Sequence, residues 1–261
     1  MPVAANLSLL QDRIRRIERP HARQHGVLPF GIAAIDRALP GGGLALGGLH
    51  EILGAGADEE DGAIAAGFAA GIVGRLDGGI VLWALKQADL YGPGLAEHGL
   101  DPARVVLVRT ARDDDILWAL EEGLRTPGVA AVIGEVGRLP MVAGRRLQLA
   151  AERSGITAFL LRRWHSGGEA AAERARPSAA TTRWRVAALP SRPDEEPGIG
   201  RKTWRVELLR CRGGEAAAWD LPEDLEVADA TSALSLSAAL ADRPAASRRF
   251  AAERQPLRRT G

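Results

Sequence analysis

One stretch limits what this chain can become. A glycine-rich turn, Gly41-Gly42-Gly43-Leu44-Ala45-Leu46-Gly47-Gly48, runs into the apolar segment Leu49-His50-Glu51-Ile52-Leu53. Gly54-Ala55-Gly56-Ala57-Asp58-Glu59-Glu60-Asp61-Gly62 follows, and then a helical pattern. That is the layout of a strand, a phosphate-loop position and a helix. The loop residues are wrong for phosphate. A triphosphate-binding loop reads G-x-x-x-x-G-K-[S/T], with the lysine on the phosphates and the hydroxyl on magnesium. Here the loop carries Asp58, Glu59, Glu60 and Asp61 and no lysine. Four carboxylates near triphosphate oxygens repel them at short range. The segment is therefore expected to be a solvated helix start rather than a hydrolytic site.

The regions on either side extend the pattern. Leu7, Leu10, Ile14 and Ile17 form one apolar stripe of a helix over about Ser8–Arg19, ended by Pro20. Phe30–Pro40 reads as a second short helix. Strands are expected at Leu49–Leu53, Gly79–Leu85, Arg104–Arg109, Val129–Val136 and Ile156–Leu161. Helices are expected between them at Asp58–Leu76, Asp113–Arg125 and Pro140–Arg153. Acidic residues in the first turn of Asp58–Leu76 suit the helix dipole. Short apolar runs separated by helices indicate β-α crossovers and a mostly parallel sheet. Trp164–Ala180 is rich in Gly, Ala, Ser and charge and reads as a long loop. Thr182–Val186 and Thr203–Arg210 alternate with period two, as antiparallel edge strands do, across the Pro-rich link Pro190–Gly200.

This gives three parts: an N-terminal helical segment over residues 1–40, a core over 41–225, and an Ala/Ser-rich, then basic, tail over 226–261 expected to be disordered. With 34 basic and 33 acidic residues, the net charge of +1 creates no global field for nucleic acid. The single cysteine, Cys211, excludes an internal disulfide and a cysteine-rich zinc site. No apolar run is long enough to span a membrane, and polar Asn6, Gln11, Asp12 and Arg13 stand where a signal peptide needs an apolar core. The cytoplasm is the expected compartment. Alanine supplies much of the apolar content, so Trp83, Trp118, Trp184, Trp204 and Trp219 are expected to fill the interior.

Leu39-Pro40-Gly41-Gly42-Gly43-Leu44 followed by Gly47-Gly48-Leu49-His50-Glu51-Ile52 resembles the ImuA family of bacterial proteins, and the likeness extends over roughly residues 8–225. The resemblance implies a RecA-like α/β fold: a P-loop-type core with a degenerate Walker A loop, and a mainly parallel, twisted sheet with antiparallel edge strands. It also implies a role. Members act beside ImuB, a Y-family-polymerase-like protein, and an error-prone replicative-class polymerase in SOS-induced mutagenic translesion synthesis. The ImuA member is an accessory subunit there, and no catalytic residue, cofactor or metal is expected. RecA and single-stranded DNA are further candidate partners. Two alternatives stay open: a RecA-like nucleotide-binding regulator, and a cell-division inhibitor like SulA, to which some members are related.

RecA's positions transfer onto this chain one at a time. Its Walker A loop falls on Gly54–Gly62, its catalytic glutamate near Gln87 and its Walker B aspartate near Glu135. A glutamine cannot act as a general base. Its DNA-contacting loop falls on Arg162–Thr182, where Arg162, Arg163, Trp164, Arg174, Arg176 and Arg183 are candidate DNA contacts. Arginines neutralise phosphates and an aromatic ring stacks on bases. The bland alternative has Trp164 covering the sheet edge and the arginines facing water. Candidate partner contacts are the stripe Leu7, Leu10, Ile14 and Ile17 and the tail residues Arg248 and Arg249. His50 reads as a hydrogen-bonded structural histidine, and Gly41–Gly43 as a tight turn.

Overall fold

A computed structural model describes residues 25–56, 58–164, 166–192 and 201–222. The candidate contacts Leu7, Leu10, Ile14, Ile17, Arg248 and Arg249 lie outside them, as do the expected Ser8–Arg19 helix and the tail over 226–261.

Ten strands and six helices are described. In chain order they are β1 (Val27–Leu28), α1 (Ala33–Ala38), β2 (Leu44–Ala45), β3 (Leu49–Gly54), α2 (Asp58–Val73), β4 (Ile80–Leu85), α3 (Gly92–Glu97), β5 (Val105–Arg109), α4 (Asp113–Gly123), β6 (Val129–Val136), α5 (Met141–Ser154), β7 (Thr157–Arg162), α6 (Gly167–Arg174), β8 (Thr182–Arg192), β9 (Arg201–Cys211) and β10 (Ala217–Pro222). Eight strands form one sheet in the order β10-β9-β8-β3-β7-β6-β4-β5. Every pair from β8 to β5 is parallel, and β9 runs antiparallel to both β8 and β10. This mixed α/β sheet is consistent with the RecA-like core expected from the resemblance.

Two apolar layers cover the sheet. One gathers α1, α2 and strand residues such as Ile52, Trp83, Ile133 and Phe159. The other gathers α4, α5 and the opposite strand faces, including Leu49, Val132 and Leu160. The alternation Leu49 to one layer and Ile52 to the other follows from the period-two geometry of a strand. Because alanine dominates α2, the large rings make up the volume. Trp184 packs against Phe30 at 5.4 Å, Phe68 at 5.7 Å and Trp219 at 6.3 Å between ring centroids.

The glycine turn does what a turn does. Gly41 and Gly42 have φ of 85° and 83°, which glycine adopts without a Cβ penalty. The turn brings β2 back antiparallel to β1.

Three expectations are corrected. Trp164–Ala180 is not all loop, because Ser166 caps a helix, α6, by accepting from the Glu169 N–H. Thr182–Val186 is not an edge: β8 pairs in parallel with β3, and the edge is β10, which the alternation of Thr203–Arg210 did not reveal. Trp118 is not in the interior; it is 65% exposed on α4. Among the described residues, no helix is long and apolar enough to cross a membrane.

Candidate functional site at the carboxyl edge of the sheet

The parallel strands β3, β4, β6 and β7 all end on one edge of the sheet, the edge where open α/β sheets place their ligands. In this chain that edge is occupied by its own side chains.

Consider first the loop after β3. Asp61, in the first turns of α2, is buried and turns back so that its Oδ2 accepts from the Gly56 N–H at 2.6 Å. A Cβ on Gly54 would lie 2.8 Å from the Asp61 Cβ. The aspartate and the end of β3 are therefore in direct contact, and the approach requires glycine. From the far side Arg174 of α6 donates to the Ala55 carbonyl at 2.9 Å. A loop of this shape offers backbone N–H groups to an anion. Here one such group is already bound, to a carboxylate of the same chain. For Asp61 the expectation of a solvated helix start is thus corrected.

Glu135, the residue expected from the resemblance at the Walker B position, is likewise engaged. Glu135, near the end of β6, accepts from Trp83 Nε1 at 2.7 Å and lies 3.0 Å from Arg163. Arg163 also reaches Asp89, at 2.5 Å. Lys86, just past β4, sits 2.7 Å from Asp113 at the start of α4. Arg163 is thus shared between two carboxylates and Lys86 is held by a third, so these charged groups are engaged with one another.

The Glu51 of the glycine-turn pattern organises the rest. It is fully buried at the centre of β3. Arg183 of β8 donates to its Oε2 through Nε at 3.1 Å and through an Nη at 3.0 Å. Both prongs converge on one carboxylate oxygen in a charge-assisted contact. Arg162 of β7 approaches the same oxygen at 3.4 Å, and the Ser178 hydroxyl donates to the other. Arg162 continues to Glu173 at 2.7 Å and to the Gly137 carbonyl at 2.9 Å. Its guanidinium lies 5.5 Å from the Trp164 ring centre, a cation–π distance. Arg183 donates to the Arg174 and Arg176 carbonyls at 3.0 and 2.9 Å, satisfying orphan groups at the end of α6. One buried carboxylate thus ties the two strands flanking β3 to the loop and helix lying over them.

His50, beside it, faces the other layer. Its Nε2 lies 2.9 Å from the Ala45 carbonyl and its Nδ1 2.7 Å from Thr182 Oγ1. The same hydroxyl accepts from Trp184 Nε1 at 2.7 Å. The neutral ring with its proton on Nε2 satisfies all three contacts: Nε2–H donates to the carbonyl and Nδ1 accepts from Thr182. Burial lowers the imidazole pKa from 6.5 to about 4. Among the described residues no group of three His, Cys, Asp or Glu is placed to hold a metal ion.

The six candidate DNA contacts therefore divide. Arg162, Trp164 and Arg183 are buried, Trp164 donating its indole N–H to the Gly137 carbonyl at 3.0 Å. Their expected outward-facing arrangement is corrected: Glu51 at the sheet centre draws both arginines inward. Arg163 is three-quarters or more covered and bridges Glu135 and Asp89. Arg174 holds the loop after β3, and Arg176, half exposed, pairs with Glu173 at 3.2 Å. Sequence reasoning missed Asp61, Trp83 and Ser178 as members of this cluster. An acidic residue five places past a loop glycine was the only available sign of the first.

No protein-family model matches the chain. Two curated proteins do, both bearing the printed name Protein ImuA and both from Caulobacter vibrioides, strains NA1000 / CB15N and ATCC 19089 / CIP 103742 / CB 15. Each is 44% identical over 201 residues, covering 75% of this chain and 82% of the relative.

Proposed function

The chain belongs to the ImuA family, and from that premise we propose that it is a non-catalytic accessory subunit of SOS-induced, error-prone translesion DNA synthesis, built on a RecA-like core with a degenerate Walker A loop and working in the cytoplasm. It acts beside an ImuB-like protein and, through it, an error-prone replicative-class polymerase. Its mechanism is recruitment: holding the components together raises their effective concentration at a primer end.

The observation that carries this reading is the closed carboxyl edge. Asp61 occupies the Gly56 N–H, and Glu135 is bound by Trp83 and Arg163. Phosphoryl transfer needs a cationic cradle and a metal-bridging carboxylate free to act. The chain has neither at these positions. The core is left as a rigid body that presents surfaces.

The test is genetic. A strain deleted for this gene is expected to lose ultraviolet-induced mutagenesis, and the wild-type gene is expected to restore it. Normal induced mutation in the deletion strain overturns the proposal. Magnesium-dependent ATP turnover by purified protein, reduced by Glu135→Ala, overturns its non-catalytic part.

A further inference from the structure

Helices α4 and α5 lie side by side on one layer of the molecule. Arg138 N–H reaches Asp113 at 3.2 Å and Arg146 reaches Glu121 at 2.5 Å, both pairs 25 residues apart. A constant offset means that the helices run parallel and in register. Their inward sides, with Ile116, Leu120, Leu147 and Ala151, are in the core. Their outward rows are Asp114, Trp118 and Glu122 on α4, and Val142, Arg146, Leu149 and Arg153 on α5, separated by one and two helical turns as neighbours on a helix face are.

Two properties of this face stand out. Trp118 is 65% exposed, Val142 70% and Leu149 53%, three large apolar groups on one surface. Isolated exposed apolar residues are ordinary; a tryptophan grouped with aliphatics marks an interaction surface. The charge is also divided by helix. Exposed Asp114, Asp115 and Glu122 lie on α4, with Arg112 and Arg125 at its two ends pairing to Asp114 at 3.2 Å and to Glu122 at 2.8 Å, and exposed Arg145, Arg146 and Arg153 lie on α5. Between the helices runs a groove of about 530 Å³ lined by residues that include Leu124, Arg125, Leu149 and Arg153.

We propose that this face is self-complementary and pairs two copies of the chain about a two-fold axis parallel to the helices. Rotation about that axis lays α4 of one copy over α5 of the other at the same level. Glu122 then meets the basic residues in the middle of the other copy's α5, and does so in both halves, as an isologous contact requires. An axis across the helices would set α4 on α4 and oppose like charges. With the 25-residue offset, Trp118 comes over the other copy's Val142, and Glu122 comes opposite its Arg145 and Arg146. A nucleic acid fits less well, because Asp114, Asp115 and Glu122 repel phosphate. The 14 residues of α5 extend about 21 Å. With its neighbour at about 8–10 Å, the face is at the small end of stable interfaces, so the pairing is reversible.

Sedimentation equilibrium of the full chain tests this, from low micromolar to several hundred micromolar. The wild type is expected to show a concentration-dependent monomer–dimer equilibrium. Trp118→Asp should raise its dissociation constant by about tenfold or more, with an unchanged far-UV spectrum because the side chain is solvent-facing. Glu122→Arg and Arg145→Glu should each weaken pairing, and mixing the two single variants should restore it, since the mixed dimer has one charge-swapped half and one native half. A wild type that stays monomeric throughout overturns the proposal. So does a mixture no tighter than the single variants, or a Trp118→Asp protein that dimerises normally while losing a different protein or single-stranded DNA. None of these outcomes bears on the mutagenesis phenotype of the deletion strain.

Discussion

Glu51 and His50 are neighbours in sequence that point into opposite layers, and each shows how burial sets a side chain's role. Glu51 is surrounded by Arg162, Arg183 and Ser178. Replacing it by Gln would leave the buried Arg183 without its countercharge and Arg162 with Glu173 alone. Breaking a buried pair from one side costs about 3–5 kcal/mol, so Glu51→Gln should lower the urea midpoint by that equivalent, while Glu169→Gln, on exposed α6, should not. For His50 the sign follows from its lowered pKa. Between pH about 6.5 and about 4 the unfolded chain takes up a proton that the folded ring refuses. Stability therefore rises with pH across that window and is lost as pH falls through it, by about 3 kcal/mol at most. Urea melts at pH 7.5 and 5 should show this difference in the wild type and a smaller one in His50→Gln. Cys211 is a third case. Burial pushes its thiol up to about 11, so iodoacetamide at pH 8 should label the native protein slowly and the urea-unfolded protein quickly, as mass spectrometry would record.

At the scale of elements, the sequence spoke most clearly where a pattern repeats. The strands expected at Leu49–Leu53 and Val129–Val136 and the helix expected at Pro140–Arg153 correspond to β3, β6 and α5 within a residue or so at each end. Apolar period and proline placement report backbone geometry directly. The cap at Ser166 was the only local sign of α6, too weak to outweigh a loop-like composition. β10 escaped because Ala217–Pro222 alternates little; its place comes from pairing with β9, a non-local cause. The candidate site was half legible. Basic residues at Arg162, Arg163 and Arg183 were visible, but the direction of Arg162 and Arg183 depends on Glu51, from a strand more than a hundred positions away, and that of Arg163 on Glu135 and Asp89. The loop after β3 offers a sharp check of the packing. Gly54→Val would drive its side chain into Asp61, and overpacking of this kind costs about 1–3 kcal/mol. Asp61→Ala is expected to unlatch the loop, seen as faster amide exchange at Gly56, without creating ATP turnover.

For the molecule as a whole, the parallel strands and their helices form a frame whose carboxyl edge is sealed and whose α4–α5 face is open. Fold class and family were readable from the glycine pattern and the strand–helix alternation. Which tryptophan faces water was not, since Trp118 follows the same helical period as the buried residues around it. In cells, Glu51→Gln should reduce ultraviolet-induced mutation in proportion to lost protein abundance, measured by immunoblot alongside mutation frequency. Asp61 is what separates this frame from a nucleotide-timed machine. An ATPase keeps time because its anion arrives, is cut and departs; the carboxylate resting against Gly56 is covalently part of the chain and cannot leave. Such a subunit has no internal clock. On the proposed reading, how long a cell tolerates inaccurate copying would be governed by how much of it is made and how fast it is destroyed.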